Sequence, residues 1–98
     1  MVYIAGLFDA EGNVYNEIIK GKHRYYVKIT QKCDPVLISN IQTYLGFGKI
    51  APSEPYRIVF HSRNDIISFW KIVQPYVWIK KDKFIALLNT FGIMSNTN

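Results

Sequence analysis

The chain of 98 residues is poor in cysteine: a single thiol, Cys33, excludes an intramolecular disulfide and any cysteine-based zinc site. Such usage fits a reducing, intracellular compartment, and Cys33 itself reads as structural. Apolar runs of membrane-spanning length are missing, and the first residues lack the basic start and long hydrophobic stretch of a secretion signal. A soluble protein that does not act in a membrane is the expectation. Acidic side chains are scarce too. Seven Asp and Glu stand against twelve Lys and Arg, for a net charge of +5, which favours polyanionic partners. Nucleic acid and anionic membrane surfaces both fit that sign, as does plain solubility. There is no linker, low-complexity tract or tandem repeat, so residues 1–98 read as one domain. What the chain has in quantity is core material, 49% hydrophobic and 15% aromatic. That suffices for a small core, although a chain this short gains by oligomerising.

Hydrophobic spacing orders the elements. Ile4, Leu7 and Phe8 recur at helical spacing within residues 2–10, and Gly12 supplies a stop. "NVYNEIIK" (13–20) and "RYYVKITQK" (24–32) are rich in β-formers and are joined by Gly21, Lys22 and His23, which predicts a hairpin. In its second strand Arg24, Tyr26, Lys28 and Thr30 share one face, opposite Tyr25, Val27 and Ile29. A helix over 34–46 has Asp34 as N-cap, Pro35 at its first position and Gly46 beyond its end, with Leu37, Ile38, Ile41, Tyr44 and Leu45 as the buried stripe. A second strand pair follows at 47–51 and 56–61, joined by "PSEP". Two helices close the chain: 62–73, capped by Ser62 or Asn64, and 82–91, with Phe84, Leu87, Leu88 and Phe91 inward. Paired strands with helices on one face make an α+β domain. Its open face would carry Arg24, Tyr26, Lys28, Lys49 and Arg57, a mixture of cations and aromatics suited to phosphates and base edges.

The first helix breaks two local rules. Asp9 and Glu11 lie at its C-terminal end, where an acid forfeits about 0.3–1 kcal/mol against the helix dipole. Gly6 and Ala10, four residues apart with Ala5 beside them, leave a small face on which a second helix could pack closely. Pairing with a second copy would bring two Glu11 carboxylates together. Divalent cations relieve such repulsion, and oxygen ligands with open positions suit Mg²⁺ or Mn²⁺. The bland alternative is a pair of surface acids in a helix-to-strand turn.

"IAGLFDAEG" (4–12) resembles the LAGLIDADG signature of the homing endonucleases, identical at Ala5, Gly6, Leu7, Asp9, Ala10 and Gly12. "VKITQK" (27–32), "LGFGKI" (45–50) and "QPYVWIKKDK" (74–83) are similar to segments of single-motif members. The resemblance implies an αββαββα core with an antiparallel β-sheet saddle and helices on one face. It implies a homodimer with Ala5, Gly6, Asp9 and Ala10 at the interface. The activity implied is site-specific double-strand DNA cleavage in intron homing, by metal-dependent phosphodiester hydrolysis that leaves short 3′ overhangs in a long pseudo-palindromic site. No small-molecule substrate is implied. Glu11 and the Ala10 backbone carbonyl would carry Mg²⁺, with Mn²⁺ as a substitute, while Asp9 would act as a structural group near the helix end. Gln31 would orient water, and Lys80 would activate the nucleophile or stabilise charge, with Lys81 as the weaker candidate. Asn13, Tyr15, Glu17, Lys22, Arg24, Tyr26, Lys28, Lys49, Arg57 and His61 would face the DNA. The setting would be the cytoplasm or nucleoid of a prokaryote, or an organelle.

Two departures stand out. Glu11 replaces the commoner aspartate, and no arginine follows Gln31, where Cys33, Asp34 and Pro35 stand instead. A binding protein of the same fold that does not cleave, such as an intron RNA maturase or a DNA-binding regulator, is the competing expectation. Intact Glu11, Gln31 and Lys80 argue against it. A ribosomal or other RNA-packing protein would account for the charge but not for the first helix.

Overall fold

A computed structural model describes residues 2–31, 34–51 and 56–92. Cys33, Lys32 and the "PSEP" turn lie outside the described residues, so the expectations attached to them are not taken further. The chain runs α1 (Val2–Glu11), β1 (Gly12–Ile19), β2 (Lys22–Thr30), α2 (Pro35–Leu45), β3 (Lys49–Ile50), β4 (Arg57–Phe60), α3 (Arg63–Val73) and α4 (Lys81–Thr90). The αββαββα order is therefore present, with a fourth helix after it. Four antiparallel strands form one sheet in the order β1-β2-β4-β3.

The hairpin is tighter than the sequence suggests. Lys20 and Gly21 form the turn with φ of 51° and 79°, and Ile19 already pairs with Lys22. Two successive left-handed residues make the turn whose twist matches the strands it joins. Lys22 and His23 are thus strand residues, a correction to the expected Gly21–His23 connection. Glycine carries the second position without steric penalty, while Lys20 bears about 1 kcal/mol of backbone strain there.

Alternation sorts the sheet into two faces. Val14, Val27, Ile29, Ile58 and Phe60 are buried beneath the helices, and α1, α2 and α4 all pack against the strands. Aromatic rings fill the space between layers. Phe60 stacks on Phe69 at 4.5 Å, Phe69 meets Phe8 edge-on at 5.3 Å, Phe8 meets Phe84 at 5.6 Å, and Trp70 lies 4.7 Å from Phe84. One continuous path of rings therefore ties β4 to α3, α1 and α4. Each such pair adds about 0.5–1.5 kcal/mol beyond the area it buries.

The helix signals hold in most details. Asp34 accepts a hydrogen bond from the Leu37 N–H at 2.9 Å, Pro35 opens α2, and Gly46 closes it with φ 83°. Ser62, rather than Asn64, caps α3 through the Asp65 N–H at 3.1 Å. Tyr44 does not join the α2 stripe: it is 64% exposed, because α2 turns only the Ile38 and Ile41 side fully inward. Phe91 sits just past the end of α4, half-buried against Tyr25 at 4.8 Å. Gly12 follows the end of α1, as expected of a stop, and has a second role. It is the first residue of β1, and a Cβ there would fall onto the Phe8 ring and carbonyl.

Candidate active site and nucleic-acid interface

The end of α1 is held by a segment 70 residues away in sequence. Asp9, only 9% exposed, turns its carboxylate into its own chain. There Oδ2 accepts from the Trp78 N–H at 2.6 Å and Oδ1 from the Lys80 N–H at 3.0 Å. Lys80 returns the contact, its Nζ donating to the Asp9 carbonyl at 2.9 Å. A cation thus sits on a terminal carbonyl of α1, where the helix dipole is negative. The acid that looked misplaced is compensated by tertiary structure. Glu11, the last residue of α1, is exposed just beyond this clasp.

Gln31 reaches the same end of the sheet by register. Gly12 pairs with Ile29, so Glu11 and Gln31 both lie at the terminus of the β1–β2 ladder. The Gln31 N–H donates to the Tyr56 carbonyl at 2.8 Å, which extends β2 beside β4 and anchors the residue. Glu11 and Gln31 therefore share the end of the sheet where α1 meets β1, and the bond to the Asp9 carbonyl ties Lys80 to the same helix end. Lys81 instead opens α4 and is exposed.

On the outer side of α1, Tyr3, Gly6 and Ala10 are exposed, and nothing among the described residues lies within 4 Å of a Cβ built on Gly6. Ala5 does not belong to this surface. It is fully buried, one step around the helix, beside Ile4 and Phe8. Its expected interface position is corrected accordingly, and Asp9 likewise faces inward, toward Trp78 and Lys80.

The open face of the sheet collects the remaining candidates. The ladder places Asn13 opposite Lys28, Tyr15 opposite Tyr26, and Glu17 opposite Arg24, while Thr30 faces Arg57, and Lys28 and Lys49 both face Val59. All are on the side away from the buried Val27, Ile29, Ile58 and Phe60. His61 follows β4 directly, is exposed, and lines a shallow groove with Tyr26, Lys28, Arg57 and Val59. Tyr15 stacks on Tyr26 at 4.9 Å and 13°, and Lys28 Nζ lies 5.5 Å from the Tyr26 ring centre. The Tyr15 hydroxyl donates to Glu17 at 2.6 Å. That bond, with lesser contributions from desolvation and the nearby charge, holds the hydroxyl above the ordinary tyrosine value of 10.0.

No family model matches the sequence, and no curated protein matches it either. Solved structures do. The homing endonuclease I-CvuI, crystallised in complex with its target, superposes with a TM-score of 0.83 at 19% identity, over 98% of this chain and 68% of that one. The LAGLIDADG meganuclease I-AabMI, bound to uncleaved DNA, gives 0.79 at 20% identity over 96% of this chain and 36% of that one. The chain has the LAGLIDADG homing-endonuclease fold. A third relative in structure, the homing endonuclease I-TnaI, gives 0.79 at 14% identity over 95% of this chain and 71% of that one. The protein thus spans about two thirds of I-CvuI and about a third of I-AabMI.

Within the LAGLIDADG fold, the motif helix is α1, and its two acids part company. Asp9 is consumed by the Trp78–Lys80 segment, while Glu11 keeps its carboxylate exposed. Among the described residues no three His, Cys, Asp or Glu side chains cluster closely enough to cage a metal. The hard oxygens of Glu11 and of the Ala10 carbonyl are what the end of α1 offers. A donor set of a carboxylate completed by water and phosphate oxygens suits Mg²⁺. Among the described residues no helix is long and apolar enough to cross a membrane.

A structural role for Asp9 near the helix end was expected, but sequence reasoning did not find its partners, the backbone N–H groups of Trp78 and Lys80. A buried aspartate that accepts from distant backbone N–H groups leaves no local pattern. Sequence reasoning placed His23 in the hairpin connection, whereas His23 lies in β2 with its Nε2 2.6 Å from Asn16 Oδ1 and its ring 4.8 Å from Tyr25. Those contacts tie the hairpin to the C-terminal end of α4, through Tyr25 and Phe91. The strand position of His23, once the turn is known, is the signal that would have found it.

Proposed function

We propose that the protein is a homodimeric, Mg²⁺-dependent, site-specific double-strand DNA endonuclease of the intron-homing kind. It would cut each strand of a long pseudo-palindromic site to leave short 3′ overhangs. The observation that carries this reading is the convergence of Glu11, Gln31 and the clasped Lys80 at one end of an open, basic and aromatic sheet face. I-CvuI and I-AabMI, which share the fold, were crystallised with DNA.

The residues divide the work. Lys22, Lys28, Lys49 and Arg57 neutralise phosphates, and side chains between them, with Asn13, Arg24 and His61, reach base edges in the major groove. Glu11 and the Ala10 carbonyl would hold Mg²⁺, or Mn²⁺ in its place, which when bound polarises the phosphate and stabilises developing charge. Gln31 orients the attacking water through its amide. Lys80, fixed by its bond to the Asp9 carbonyl, holds a positive charge beside the reacting phosphate. Gly6 and Ala10 let the α1 helices of two protomers approach, so that each delivers its own Glu11 to one strand.

The test is cleavage of a supercoiled plasmid library with randomised inserts, in Mg²⁺ and in EDTA, with Glu11→Gln alongside. Cutting of a defined insert by the wild type in Mg²⁺ alone, lost in Glu11→Gln, is expected. Binding without cutting, or a fully active Glu11→Gln, would overturn the mechanism. A monomeric mass in solution that DNA does not change would overturn the dimer.

A further inference from the structure

One residue on the basic sheet works against its setting. Glu17 is exposed, and among the described residues it is the only acid on the open face, surrounded by side chains whose charge attracts phosphate. A carboxylate facing a polyanion is repelled unless it meets a hydrogen-bond donor on the bases. It is also aimed. Tyr15, braced by stacking on Tyr26 at 4.9 Å, donates its hydroxyl to Oε2 at 2.6 Å. Arg24 stands directly across the ladder.

The major-groove code narrows what such a pair can read. A carboxylate only accepts, so guanine, with its N7 and O6 acceptors, and thymine, with O4, repel it. Adenine offers N6–H₂ but sets the N7 acceptor beside it. Cytosine offers the N4–H₂ donor. Arg24, presenting two N–H donors in a fixed fork, is the partner for the O6 and N7 of guanine. Directly opposed strand residues lie about 5 Å apart at their Cβ atoms, close enough for two side chains to share one base pair.

We propose that Glu17 and Arg24 together read a single C·G base pair in each half-site, Glu17 accepting from cytosine N4–H₂ and Arg24 donating to the guanine. The assignment rests on the DNA-endonuclease reading above and specifies its target at one position. Tyr15 acts as a positioning residue, holding the Glu17 carboxylate by a hydroxyl that stays protonated well into the alkaline range.

Selection from a randomised duplex library, without cleavage and in Ca²⁺ buffer, tests it with wild type, Glu17→Gln and Tyr15→Phe. The wild-type motif should contain one C·G pair whose preference drops about tenfold in Glu17→Gln, with adenine gaining at the cytosine position because a glutamine amide matches it. Tyr15→Phe should relax the same position and no other. The assignment is overturned if the Glu17→Gln motif matches the wild type at every position, or if its affinity rises equally for all sequences, as loss of a charge alone would cause. If the wild type enriches no duplex motif at all, the endonuclease reading falls as well, which separates the two failures.

Discussion

Removing the Asp9 carboxylate should loosen the segment that presents Lys80. Two backbone N–H groups, of Trp78 and Lys80, donate to that nearly buried carboxylate at 2.6 and 3.0 Å. Hydrogen bonds to a charged group contribute about 1.5–3 kcal/mol each, and a donor left without a partner costs a comparable amount. Water reaching the vacated space recovers part of this, so about 3 kcal/mol is expected for Asp9→Ala. In a 98-residue domain that corresponds to a fall in Tm of about 15 °C. Asp9→Asn keeps one acceptor but turns an amide N–H toward the other donor, for a loss of about 2 kcal/mol. Lys80→Met leaves both bonds to the carboxylate and removes only the Nζ bond to the Asp9 carbonyl, which should cost about 1 kcal/mol. Urea unfolding at one fixed protein concentration reads all three, with unchanged m-values as the sign that compactness is unaltered. Midpoints for both Asp9 variants within about 0.5 kcal/mol of wild type would refute the clasp, since that is the ordinary effect of a surface substitution. So would a Lys80→Met loss as large as that of Asp9→Ala.

Two glycines on α1 and β1 should respond in opposite directions. Gly12→Ala forces a Cβ onto the Phe8 ring and backbone carbonyl, which cannot move aside as a flexible side chain would, so a loss of about 2–3 kcal/mol is expected in thermal or urea unfolding. Gly6→Ala meets open space in the fold and should stabilise it by about 0.5–1 kcal/mol. On the dimer reading, the same substitution should weaken self-association in sedimentation. Ultraviolet titration of wild type against Glu17→Gln should show one tyrosine moving down toward 10.0 in the variant, because its hydrogen bond then ends on a neutral amide oxygen rather than on the Glu17 carboxylate, the largest cause of its raised value. Deprotonation destroys that bond, so the difference between the two proteins should be confined to alkaline pH.

The capped helix α2 was readable residue by residue, because Asp34, Pro35 and Gly46 act through bonds and backbone angles that lie within one or two turns. The two faces of the sheet were readable for the same reason: a period of two separates Val27 and Ile29 from Lys28 and Thr30 without reference to anything distant. Errors arose where a neighbour from elsewhere decided. Tyr44 fits the helical stripe by spacing, yet the sheet meets only the Ile38 and Ile41 side of α2. Ala5 looked like part of a small outer face, but α1 has Ile4 and Phe8 on the buried side, and Ala5 goes with them. The hairpin turn fell between two readings, as Lys20 is not a residue that announces a left-handed conformation.

By itself, then, the sequence determined the order of elements, the polarity of each sheet face and the small-faced helix ending in two acids. Those properties are local or periodic, carried by residues within a few positions of one another. Only the tertiary structure supplied the partners that spend Asp9 on the fold and leave Glu11 facing outward. Asp9 and Glu11 are two residues apart and chemically alike. The difference lies in the return of Trp78 and Lys80 to the end of α1, which supplies two N–H donors and a cation to one carboxyl-bearing residue and leaves the next exposed.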